Sequence, residues 1–245
     1  MLGLPDAITA CLFDLDGVLT GTAAVHNAAW TRMFDDYLRS RAERDGAPYV
    51  PFDPDNDYNS YVDGRPRADG VRTFLASRGI TLPDGRPTDL PRRETVHGLA
   101  NRKNDILLRL IREQGVEPYP GSVRYLQAAK AAGLRRAVVS ASANCAEVVA
   151  AAGLTDLLEV RVDGLVAVAR HLRGKPAPDT FLAAAAALGA EIGQAAVFED
   201  AVAGVEAGRN AKAEYIVGVD RVGHAGALRA AGASIVVTDL SELMQ

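Results

Sequence analysis

Long apolar runs are missing from this chain: no stretch of its 245 residues approaches the ~20 consecutive apolar positions that a membrane-spanning helix needs. The opening MLGLPDAIT lacks a basic flank followed by an apolar stretch, so no secretory leader is expected and the cytoplasm is the expected location. Cysteine is scarce as well. With two, Cys11 and Cys145, each inside or beside an apolar run, the chain cannot build a disulfide scaffold or a tetrahedral structural zinc site, and buried free thiols are expected. Nor is there an excess of one charge: 27 Lys and Arg stand against 31 Asp and Glu, a net −4 spread along the chain rather than gathered in blocks. General binding to nucleic acid or to an anionic membrane is excluded on that basis. Low complexity is confined to residues 183–187, an alanine run that favours helix. The remainder, 48% hydrophobic and 24% charged, is the composition of a globular protein long enough for one large domain or a core with a smaller insert.

From residue 115 onward, short β-branched runs at 136–139, 158–162, 196–198, 215–219 and 235–237 alternate with Ala- and Leu-rich amphipathic stretches. Helices are expected at 122–132, 146–152, 180–188 and 202–210, several stopped by glycine, as at Gly133, Gly153 and Gly189. Such alternation predicts β-α-β units on a Rossmann-like parallel sheet, an α/β core that the lone strand at 8–13 would join. Between them the period changes. Val25, Ala29, Met33 and Tyr37 recur at four-residue steps, and Ile106, Leu107, Leu110 and Ile111 share one helix face, so residues 22–114 are expected to form an inserted helical cap and residues 1–21 with 115–245 the core. Within the insert, Pro48, Pro51 and Pro54 with several Asp and Asn predict a loop over 47–61.

Polar residues with chemical potential fall at the ends of the expected strands. Asp14 and Asp16, in FDLDG, leave an extended chain on the same side at its carboxyl end, the edge of an open α/β sheet where ligands bind. The strand at 136–139 ends in Ser140-Ala141-Ser142, which offers a hydroxyl and backbone N–H groups suited to a phosphate oxygen. Lys175, in GKPAPD, sets an ammonium before a helix start, and Glu199-Asp200 closes a third strand. Each has an ordinary structural use taken singly: Asp and Gly suit a turn, Ser140 or Asp200 a helix N-cap, Lys175 a solvated surface. Together they bring carboxylates, a hydroxyl and an ammonium to one address.

These four elements, in this order and in strand-end context, resemble the motifs of the haloacid dehalogenase superfamily over nearly the whole chain. The likeness is closer to its β-phosphoglucomutase subfamily, through LFDLDGVLT with Thr22, His26 and Trp30, then RKND, YPG, SAS with Asn144, KPAPD and EDAVAGVEA. That resemblance implies a phosphomutase that interconverts β-D-glucose 1-phosphate and glucose 6-phosphate through an aspartyl-phosphate and a bisphosphorylated sugar; the alternative is a sugar-phosphate phosphatase sharing the same core motifs. By the same resemblance Asp14 is the nucleophile and Asp16 the general acid and base. Mg²⁺ is implied as cofactor, ligated by Asp14, the Asp16 carbonyl, Asp200 and Glu199, the last a ligand or a neighbour of one. Ser140, Ala141 and Lys175 are implied to hold the transferring phosphoryl group. His26, Trp30, Gly64, Lys103 and Asn144 match substrate-binding positions, and Arg67, with Arg65 as rival, matches the guanidinium that grips the non-transferring phosphate. A monomer acting on a small sugar phosphate, without nucleic-acid or membrane partners, is the expectation. Two departures stand out: Gly21 replaces a usual Asp, and the stretch at 39–60 looks longer.

Overall fold

The computed structural model describes residues 2–244, which divide into two compact units. One takes the chain up to Thr22, a short segment Gly64–Pro66, and everything from Val116 on; the other comprises Ala23–Asp63 and Arg67–Gly115.

The first unit is built on six parallel strands: β1 (Ala10–Phe13), β2 (Arg135–Val139), β3 (Val160–Val162), β4 (Ala195–Glu199), β5 (Tyr215–Val219) and β6 (Ile235–Val237), in spatial order β3-β2-β1-β4-β5-β6. The first-made strand is therefore central. All four of its residues are buried, and both its edges are paired, Phe13 lying level with Val138 on one side and Phe198 on the other. Strands covered on both faces read as continuous apolar runs, which is why 8–13 and 195–199 are legible without alternation. The Phe13 and Phe198 rings stack at 4.4 Å between centroids, locking β1 to β4 one residue before each strand's acid. Apolar faces of the helices between strands close the sheet: Phe181, Ala184, Ala185 and Leu188 of Asp179–Leu188, and Val205, Ala207 and Ala211 of Val202–Ala211, pack with Leu12, Val139 and Val197. Cys11 and Cys145 are buried and free, and desolvation lifts both thiols, Cys11 to about 12.

The second unit is helical, with helices Thr22–Asp45, Arg67–Ser77 and Val96–Gln114 around an aromatic centre; the first helix begins one residue inside the α/β unit. Phe34 stacks on Trp30 at 5.3 Å and on Phe52 at 5.2 Å and meets Phe74 at 4.1 Å. The 47–61 stretch is not all loop. The Asp53 carboxylate accepts the Asp55 and Asn56 N–H groups, both at 2.9 Å, and so starts a turn that runs into a π-helical segment, Tyr58–Val62, with Tyr58 and Val62 buried. Two short helices also lay outside the sequence expectation: Gly164–Ala169, started by Asp163 accepting the Val166 N–H at 2.9 Å, and Ala225–Ala231. Among the described residues, no helix is long and apolar enough to cross a membrane.

Candidate active site

Strand pairing carries the acids to one place. The Asp14 N–H donates to the Phe198 carbonyl at 2.9 Å, continuing the β1–β4 ladder by one residue and setting Asp14 beside Glu199 and Asp200. One carboxylate oxygen from each of these three buried acids can be chosen so that all lie within 4.8 Å of one another. Two glycines make that approach possible. A Cβ on Gly17, which sits at φ +90°, would overlap the Asp200 carboxylate, and one on Gly204 would overlap that of Glu199.

Lys175 reaches two of these acids. Its ammonium donates to Asp14 Oδ1 at 2.5 Å and to the Val139 carbonyl at 3.0 Å, and it pairs with Glu199. Burial works against that charge, yet Asp14 and Glu199 outweigh it, so the Lys175 pKa lies above its ordinary value. Burial also pushes Asp14 up to about 6, with Lys175 opposing and the nearby Asp16 adding to the rise. The Lys175 ammonium thus pairs with two of the three buried carboxylates, Asp14 and Glu199, and a group of oxygen donors that gathers three acids suits a hard divalent cation.

Asp16 turns away from that cluster to hydroxyls. Its Oδ1 accepts from Thr22 Oγ1, and its Oδ2 faces Ser140 Oγ at 3.4 Å. Thr22 Oγ1 in turn lies 2.7 Å from Thr20 Oγ1, which donates to the Leu15 carbonyl at 3.2 Å. Ser140 sits immediately beyond β2, where its Oγ accepts the Ser142 N–H at 3.1 Å, and Ser142 Oγ accepts the Asn144 N–H at 3.1 Å. These are turn bonds ahead of the helix Cys145–Ala151, whose N-cap Asn144 makes no side-chain cap bond, so neither serine caps it, and Ser140 is buried beside Asp16 rather than on the surface. Gly64, at φ +67°, belongs to the same unit, and a Cβ there would come within 3.0 Å of Ala201 Cβ.

The helical unit holds its own cationic group. Lys103, buried despite its charge, donates from Nζ to His26 Nδ1 at 3.1 Å and lies 5.0 Å from the Trp30 ring centroid. Desolvation, with Lys103 and then Arg67 adding repulsion, pulls the His26 pKa well below its usual value, so the imidazole is neutral and Nδ1 is its acceptor. Arg67 opens the helix Arg67–Ser77; burial lowers its pKa, Asp105 opposing, and its Nη1 is buried with no hydrogen-bond partner. Four of the residues singled out in the insert thereby fall together, on three helices.

What the sequence did not disclose is the loop after β5. Arg221 there donates from Nε to the Gly17 carbonyl at 3.0 Å, and His224 from Nε2 to the Asp200 carbonyl at 2.9 Å. Neither residue lies in a motif, and no local signal marks it.

A parallel α/β sheet with carboxylates, a lysine and a hydroxyl at its carboxyl edge is the framework of an enzyme that handles phosphoryl groups. The family model for haloacid dehalogenase-like hydrolases matches residues 8–212, and the chain belongs to that family. The β-phosphoglucomutase of Mycobacterium bovis is 55% identical over 247 aligned positions, covering 100% of this chain and 94% of the relative. That of Bacillus subtilis is 30% identical, covering 96% and 91%. In three dimensions the crystal structure of β-phosphoglucomutase from Clostridium difficile matches with a TM-score of 0.72 at 26% identity, covering 96% of this chain and 93% of that one. The protein is an isomerase of the phosphomutase kind.

Proposed function

We propose that the chain interconverts β-D-glucose 1-phosphate and glucose 6-phosphate, with Asp14 as the covalent phosphoryl carrier. The observation that carries this is the division of labour between two carboxylates two residues apart: Asp14 faces Lys175 and the acid cluster, whereas Asp16 is held by hydroxyls. With Asp14 already phosphorylated from the bisphosphate primer, the 6-hydroxyl of β-glucose 1-phosphate attacks phosphorus, its proton passes to Asp16, and the bond from phosphorus to the Asp14 oxygen breaks, which gives the 1,6-bisphosphate. In the second half the Asp14 oxygen attacks the phosphorus at C1, the bond to the sugar oxygen breaks with Asp16 returning its proton to that oxygen, and glucose 6-phosphate leaves with Asp14 phosphorylated again. Lys175, Ser140 and the Ala141 N–H hold the phosphoryl oxygens while charge shifts among them. Asp14, Asp200, Glu199 and the Asp16 carbonyl would hold Mg²⁺, which when bound offsets the repulsion between the Asp14 carboxylate and the incoming phosphate. In the helical unit, the Arg67 guanidinium, whose buried Nη1 has no hydrogen-bond partner, suits the phosphate that is not being transferred, with Lys103, neutral His26 and Trp30 in the same unit; in the α/β unit, Asn144 and Gly64 are further substrate contacts.

Phosphorus NMR of the protein with Mg²⁺, β-glucose 1-phosphate and a trace of glucose 1,6-bisphosphate is the direct test. Growth of glucose 6-phosphate at the expense of the 1-phosphate is expected; inorganic phosphate as the main product would make the enzyme a sugar-phosphate phosphatase instead. Excess chelator should stop the conversion, and added Mg²⁺ should restore it. Undiminished turnover in chelator would dismiss the cation site.

Arg67→Ala is expected to lower kcat/KM for β-glucose 1-phosphate by on the order of 10²-fold or more, since two charge-assisted bonds of about 1.5 to 3 kcal/mol each are lost without full additivity. Hydrolysis of acetyl phosphate, which carries no second phosphate, should change little. Arg65→Ala is the neighbouring control, and equal losses on both substrates would assign Arg67 to the fold.

A further inference from the structure

We propose that the loop 220–224, after β5, braces the acidic cluster: Arg221 and His224 are positioning residues that fix the turns bearing Asp16 and Asp200 and thereby set the cluster's affinity for a divalent cation. This rests on the metal reading given under the proposed function.

The loop is first made rigid from within. Asp220 accepts the N–H groups of Val222, Gly223 and His224 on Oδ1, at 3.2, 2.7 and 2.9 Å, and that of Ala225 on Oδ2 at 3.0 Å. Burial of this carboxylate is outweighed by these bonds, so its pKa lies below the usual range and it remains ionised. Two side chains then reach outward in different directions. Arg221 has its guanidinium 3.7 Å from the Tyr119 ring centroid, its Nε on the Gly17 carbonyl, and its Nη1 on the Thr238 carbonyl at 2.5 Å with Asp239 at 3.4 Å. One planar group joins two backbone carbonyls far apart in sequence, Gly17 and Thr238, while it lies over the Tyr119 ring, a task suited to its fixed fork rather than to a lysine. His224 reaches the Asp200 carbonyl.

The Asp16 turn has no other slack. Its Val18 carbonyl accepts from Ser122 Oγ at 2.6 Å, its Leu19 carbonyl from the Tyr119 N–H at 3.0 Å, and its Thr20 carbonyl from the Gly17 N–H at 2.8 Å. The Gly17 carbonyl is the member of this series held by a long side chain, and Gly17 is also the residue over which the Asp200 carboxylate lies. Releasing it frees the turn against which the Asp200 carboxylate lies. Groups that orient metal-binding side chains typically change affinity or activity by about 10 to 100-fold when removed.

The test is Mn²⁺ binding followed by electron paramagnetic resonance on the full-length protein, with circular dichroism to establish folding. Arg221→Ala and His224→Ala should each weaken binding by about 10-fold or more. Arg221→Lys, keeping the charge without the fork, should resemble Arg221→Ala. His224→Gln, which retains a donor for the Asp200 carbonyl, should return to within about threefold of the parent, a rescue that a loss of bulk stability would not show. Binding within twofold of the parent in folded Arg221→Ala and His224→Ala would overturn the brace, and if Arg221→Ala does not fold, the His224 pair decides alone. A parent protein without a Mn²⁺ site, or one whose site is untouched by Asp200→Asn, would overturn the metal reading itself.

Discussion

Asp14→Asn is expected to lower turnover by on the order of 10⁴ to 10⁶, the scale of loss when a covalent nucleophile is removed, in a protein that remains folded. The amide is close to isosteric but cannot form the acyl phosphate, and it is a poorer partner for a hard cation. Stability should move the other way. Because burial pushes the Asp14 pKa up to about 6, its ionised form is disfavoured in the folded metal-free protein, and that penalty grows as pH rises from the usual carboxylate range through 6. A neutral amide carries no such penalty. Metal-free Asp14→Asn should therefore melt no lower than the parent at pH 7, and the two should converge near pH 4. Residual activity within tenfold of the parent would remove Asp14 from the chemistry.

Lys175→Met carries the second large effect, and here the fold itself suffers. The ammonium is almost wholly enclosed, with relative exposure of 4%, and it joins Asp14 to the fully buried Glu199. Removing it leaves two carboxylates in low dielectric with their cation gone, a situation that costs about 3 to 5 kcal/mol. The pH dependence gives the mechanism away. Lys175 has a folded pKa above its unfolded one, so its contribution is fully present at neutral pH and is lost only as pH climbs above the ordinary lysine range. In the variant, where the lysine no longer opposes the rise in the Asp14 pKa, acidification from pH 7 to 5 should narrow the gap in Tm, because protonation of Asp14 relieves unpaired charge. A gap that is constant across that range would point to lost packing against Phe181, whose ring centroid lies 5.3 Å from Nζ, rather than to charge.

The parts of the site legible in sequence are those where one residue type answers both to a strand's end and to phosphate chemistry. Asp14 and Glu199 follow apolar runs that could only be buried strands, so their convergence followed from the parallel sheet. Lys175 was legible only in company, because a lysine before two prolines has no mark of burial until its carboxylate partners are known. The brace loop escaped for a different reason. Arg221 and His224 act on main-chain carbonyls, which every residue possesses, so nothing at positions 17 or 200 hints at a donor arriving from 220–224. The π-helical turn at Tyr58–Val62 was hidden behind three prolines: of the loop expected over 47–61, only the part up to residue 53 is irregular, and the Asp53 carboxylate then restarts the chain.

The central place of β1 has a consequence for how the protein comes into being. Asp14 is separated by 161 positions from the lysine that neutralises it. At roughly 5 to 20 residues per second of synthesis, the ribosome delivers that partner about 10 to 30 s after the carboxylate. The neighbour β2 is made only late in that interval and the neighbour β4 after it, so for most of that time the nascent chain carries a fully apolar strand, Ala10–Phe13, with neither partner available. The strand that organises the finished sheet is thus the one most exposed to stray pairing while the chain is being made.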